Sequence, residues 1–233
     1  RGLGDVYKRQ VLALRAKGLT PKQIAKNLGL KVSQVGEIVR VSAEQETLAR
    51  KERGELAPIA QCYVNTDCKQ RLLENAEESS IVGGGRGLAT VCVARTTGHE
   101  RYEVCTYLVD YWCLGLKDTI GLKKFNGTQY REFLEMVYGQ YDSYQQISFT
   151  EAQAIVWGAI EYAKTLGLKP HKDFEQTKAH LGEWKGEMQL KFGRDGKPFY
   201  FQGPYDNTAK IFKALRESVG DGNFNYFVEM EGF

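Results

Sequence analysis

The sequence predicts an α+β protein: a small N-terminal all-α helix-turn-helix unit, then one α+β domain of β-hairpins and interspersed helices. Three observations carry that prediction. Residues 20–40 repeat apolar side chains at helical spacing between clear start and stop signals. A polar stretch rich in Glu, Lys and Arg follows at 42–55, and from Leu56 onward β-branched runs alternate with helical ones. With 233 residues, 42% of them hydrophobic and 26% charged, the chain can bury one sizeable core beside a small satellite unit.

At the front, Thr20 suits an N-cap, Pro21 suits the first helical position, and Gln23 completes a Thr-x-x-Gln capping box. Ile24, Ala25 and Leu28 form one apolar face, and Gly29 ends the helix where a left-handed residue is needed. A second helix begins near Ser33 and turns Val35, Ile38 and Val39 inward. Val11, Leu12 and Leu14, followed by Gly18, fit a first helix packed on these two. The helix-turn-helix therefore occupies 11–41, a polar connector 42–55 and the larger domain 56–233.

In the larger domain, residues 88–95 and 102–109 read as two strands joined by a link over 96–100. Helices are expected at 129–138, at 151–166 behind a Thr150-x-x-Gln153 capping box, and at 172–181 up to Gly182. A second hairpin is expected from 188–192 and 199–202 around the Asp195-Gly196 turn. Asn207 then caps a helix to Val219, and 224–230 closes the chain as a strand.

The 20–40 spacing resembles the homeodomain-like and sigma-factor-like families of bacterial helix-turn-helix units, which implies DNA-binding ancestry. The alternative reading of the same residues is an ordinary αα-hairpin. Residues 107–118, 158–163 with 166–171, and 192–200 are similar to a set of uncharacterised bacterial proteins with a short N-terminal helix-turn-helix. That resemblance implies a domain boundary and no chemistry. Asp5, Val6, Tyr7, Lys8, Arg9 and Gln10 resemble the in-frame translation of a sequencing-library adapter, so 1–10 are expected to be foreign to the fold.

Charge supports a nucleic-acid partner at the front. Residues 11–53 hold nine Lys or Arg and four Glu, a net of +5, whereas the whole chain carries +3. Lys22, Lys31, Ser33, Gln34 and Arg40 are the candidate DNA contacts, because Lys and Arg pair phosphates or guanine edges and Gln pairs adenine. Glu37 counts against strong binding, so one such unit needs a dimer or a second contact. Double-stranded DNA and a second copy of the chain are thus the expected partners. No apolar run approaches membrane-span length, and five cysteines, odd in number and mostly in apolar runs, favour reduced thiols in a cytoplasm.

The large domain offers weaker chemistry. Asp110, Cys113, Lys117 and Asp118 fall within nine positions after an apolar run, and a cation near a thiol lowers its pKa, as a nucleophile requires. The competing reading places Cys113 in the core with Asp110 capping a turn. An enzyme centred on 110–118, with the helix-turn-helix as a docking module, is the alternative to a regulatory protein. Arg194, Lys197 and Asp206 form a second candidate rim around hairpin turns. Gly83, Gly84, Gly85, Arg86 and Gly87 lack the Lys-Ser/Thr of a P-loop, and Cys62 and Cys68 lack zinc-knuckle spacing. His171 reads as a surface residue and His180 as a helix-end residue, so neither cofactor nor metal is expected.

Overall fold

The structure, a computed structural model, describes residues 3–77 and 87–228. Residues 83–86 of the glycine run and Met230 of the expected last strand lie outside the described residues. The chain divides into two compact units, Arg1–Ala57 and Pro58–Phe233.

The first unit is three helices: α1 (Leu3–Ala16), α2 (Pro21–Leu28) and α3 (Val32–Glu52). Helix α1 begins at Leu3 rather than near Val11, so residues 5–10 are helical backbone here. Val11, Ile24, Ala25 and Val35 form the buried centre, with Leu14, Leu19, Leu28, Leu30, Ile38 and Val39 packed against it. Each fully buried aliphatic contributes about 1.5–3 kcal/mol. Helix α3 continues straight through the polar stretch at 42–52, where side-chain ion pairs take over from apolar packing.

The second unit is built on a five-stranded antiparallel sheet in the order β4-β3-β2-β1-β5. Its strands are β1 (Ile59–Asn65), β2 (Leu88–Gly98), β3 (Arg101–Asp110), β4 (Gly115–Asn126) and β5 (Tyr144–Ile147). Because side chains alternate along a strand, Val91 and Val93 of β2 face one layer and Cys92 and Ala94 the other. The first layer is filled by Ile155, Val156 and Ala159 of α6 (Phe149–Thr165) and by Phe174 and Leu181 of α7 (Phe174–Leu181). The second is filled by Tyr130, Leu134 and Tyr138 of α5 (Gly127–Tyr138). Burial on both faces explains why β2 is apolar without alternation. A short helix α4 (Thr66–Cys68) and a π-helical turn (Lys69–Leu73) follow β1.

The β2–β3 hairpin is tighter than the sequence suggests. The strands run on to Gly98 and Arg101, which leaves His99 and Glu100 as the turn, with Glu100 at φ 49°. Helix α6 is capped by Ser148, whose hydroxyl accepts from Glu151 N, and not by Thr150. Gln153 instead donates to Leu181 O and Glu183 O.

The second hairpin does not form. Residues 188–192 are not a strand, because Leu190 and Phe192 pack against the first core layer, with Phe192 stacked 5.6 Å from Tyr162. The Asp195-Gly196 turn closes only on itself, through an Arg194–Lys197 bridge. Strand β6 (Phe199–Phe201) pairs in parallel with β7 (Asn225–Phe227), which falls within the expected 224–230. Helix α8 (Thr208–Val219), capped by Asn207, links them, and Tyr200, Ile211, Leu215 and Phe224 make a separate small core with Cys113.

Candidate nucleic-acid interface

Helix α2 is set by its caps. Thr20 Oγ1 accepts from Gln23 N at 3.3 Å, while Thr20 N donates to Gln23 Oε1 at 2.8 Å. Gly29 adopts φ 66°, and Leu30 N returns to Ala25 O at 3.0 Å, so the chain reverses within three residues. With Ile24 and Ala25 inward, Lys22, Gln23, Lys26 and Asn27 of α2 are exposed. Lys31, Ser33 and Gln34 are exposed at the start of α3.

Gln34 does more than face outward. Its Oε1 accepts from Lys31 N at 3.0 Å, capping α3, while its amide N–H groups remain exposed. The first turn of α3 carries no acid, so nothing offsets the positive end of this helix dipole. Among the described residues, Lys22, Lys26 and Lys31 have no ion pair. Arg15 donates to Leu19 O at 3.0 Å.

Arg40 differs from those lysines. Its Nε and Nη2 donate to the two oxygens of Glu37 at 3.2 and 2.7 Å, and Nη1 donates to Glu44 Oε1 at 2.7 Å. The hydrogen bond from Arg40 holds the Glu37 carboxyl below its ordinary pKa. Sequence reading singled out Lys22, Lys31, Ser33, Gln34 and Arg40 but missed Lys26 and the acid pair on Arg40. The i,i+3 and i,i+4 spacing of Glu37 and Glu44 from or to Arg40 was the signal for that pair.

The 110–118 residues do not meet in one accessible cleft. Asp110 is buried, and its Oδ1 accepts from Trp112 N at 3.0 Å and Cys113 N at 2.9 Å, capping the β3–β4 turn. Burial pushes its carboxyl up to about 7 against the pull of those N–H groups and of Lys117. Cys113 is fully buried beside Leu166 and Tyr200, and burial raises its thiol far above the reactive range. Lys117, on β4, pairs with Asp206 Oδ1 at 3.1 Å. Asp118 is half-exposed, with His171 Nδ1 at 3.7 Å.

The second rim is dispersed too. Lys197 donates to Gly222 O, while Arg194 lies over Trp112 and Phe199 at 4.9 and 4.8 Å and lines an open cavity of about 590 Å3 with Arg71 and Lys191. His180 lies in the last turn of α7, as expected, and is buried there with its Nε2 3.1 Å from Val93 O. All five cysteines are free and buried. Among the described residues no cluster of His, Cys, Asp or Glu is arranged to hold a metal, and no helix is long and apolar enough to cross a membrane.

Comparison with known protein families, with curated proteins and with solved structures returns no match.

Proposed function

We propose that the first unit is a helix-turn-helix DNA-binding module of a cytoplasmic regulatory protein, and that the second unit senses a signal, dimerises or contacts a partner. One observation carries this reading: α2 and α3 join through the Gly29 turn, with Lys22, Lys26 and Lys31 exposed and free of any ion pair among the described residues. The acid-free N-terminus of α3 adds a backbone site for a phosphate. A module this weakly charged works as a pair, so two copies on two half-sites fit the charge better than one.

The test is binding of the full chain to duplex DNA across a salt series. Each phosphate neutralised contributes about −0.9 to the slope of log K against log salt. Lys22→Ala with Lys31→Ala is therefore expected to weaken binding to every duplex and to flatten that slope by about two. Absence of salt-sensitive binding by the full chain overturns the reading.

A further inference from the structure

Arg40 stands on the face of α3 that turns away from the core. Val35 is buried and Ile38 and Val39 pack on the same centre, so helical spacing puts Ser33, Glu37, Arg40 and Glu44 together on the opposite side. Arg40, Glu37 and Glu44 are each more than half exposed in their side chains, at 57%, 60% and 59%. Three of the five guanidinium N–H groups are spent on the two carboxylates. One N–H remains on each terminal nitrogen. Guanine offers O6 and N7 as adjacent acceptors on its major-groove edge, and a two-donor fork of this kind matches them.

Resting on the DNA-binding reading above, we propose that Arg40 reads guanine in the major groove, with Glu37 and Glu44 as positioning residues that hold its fork. A long side chain loses rotamer freedom when it binds, and two carboxylates that fix it beforehand reduce that loss. The same acids repel phosphates, which keeps Arg40 from being absorbed by the backbone contacts that Lys22, Lys26 and Lys31 make under this reading. The lysines then supply grip, and Arg40 supplies discrimination.

Selection of full-length protein against a randomised duplex pool tests this division. The wild type is expected to favour guanine at one position by roughly tenfold. Arg40→Ala and Arg40→Lys should both erase that preference, the second because lysine keeps the charge and loses the fork. Glu37→Gln should relax the preference, while Lys31→Ala should weaken selected and unselected duplexes alike.

Guanine preference that survives in Arg40→Lys and Arg40→Ala overturns the proposal, as does duplex binding by the wild type with no base preference. So does a Glu37→Gln that tightens all duplexes equally and leaves the preference intact, since the acids are then only repulsive. In each of those cases salt-sensitive binding still stands. Failure of the wild type to bind duplex at all sinks the module itself, and this inference with it.

Discussion

Replacing Asp110 with Asn should stabilise the second unit at pH 8 and leave it nearly unchanged at pH 4. The carboxyl is buried, Oδ1 accepts from Trp112 N and Cys113 N, and an amide oxygen keeps both of these bonds, with Leu114 N a weaker pull on the group. What the amide removes is a charge held in an apolar turn. Burial raises the folded carboxyl to about 7, well above its unfolded value near 4, so folding favours the protonated form. The stabilisation is complete below pH 4 and is lost as pH climbs towards 7. At about 1.4 kcal/mol per tenfold, that interval amounts to on the order of 4 kcal/mol. Other carboxylates add their own trends, so the readout is the wild-type minus Asp110→Asn difference from urea titrations at several pH values. All three tryptophans, Trp112, Trp157 and Trp184, lie in the second unit, so their fluorescence follows this unit alone. A difference flat with pH would show that the N–H groups and Lys117 balance burial, and a variant penalised more at pH 8 than at pH 4 that they outweigh it.

The other expectations follow from packing and caps. Cys113 should resist alkylation in the native protein, and Cys113→Ala should cost about 1–2 kcal/mol through lost packing; mass-spectrometric mapping that finds it labelled ahead of the other four cysteines would make it a surface thiol. Thr20→Ala should cost about 1 kcal/mol in the first unit by removing the hydroxyl that accepts from Gln23 N, while the bond from Thr20 N to Gln23 Oε1 stays, and helical circular dichroism on heating reads the loss. Gly115→Ala should be far more damaging, because Gly115 sits at φ 70° and a Cβ there would lie 2.6 Å from Ala163 Cβ and 2.8 Å from Ala159 O. A soluble Gly115→Ala with unchanged midpoint would mean α6 can move away from the β4 start at little cost.

What the sequence made legible was what is decided within four residues. Thr20 with Gln23, Gly29, Asn207 and Gly182 all act on backbone groups one turn away, so composition at those positions reveals the helix ends. Strands were legible where both faces are buried, as in β2 and much of β3. They were not legible at the sheet's margins. Strand β4 carries Lys117, Asp118, Lys123 and Lys124 because most of it is exposed at an edge, and charges there also discourage pairing with another chain. The four residues of β5 are too few to show a period. The expected 188–202 hairpin failed for a related reason: a turn as strong as Asp195-Gly196 fixes two residues, while pairing depends on partners such as 225–227, which are distant in sequence.

The same divide runs through the candidate sites. Cys113 with Lys117 looks like an activated thiol because the two are close in sequence, and the lysine does pull the thiol down, but burial in a core with Tyr200 and Leu215 raises it far more while Lys117 pairs with Asp206. Proximity along the chain showed the neighbours here and not the burial that decides their chemistry. On a helix it says a great deal, and Glu37, Arg40 and Glu44 meet because three and four residues make one turn. The acidic residue that argued against strong DNA binding in the sequence is thus the one that holds both the Nε and the Nη2 edge of Arg40.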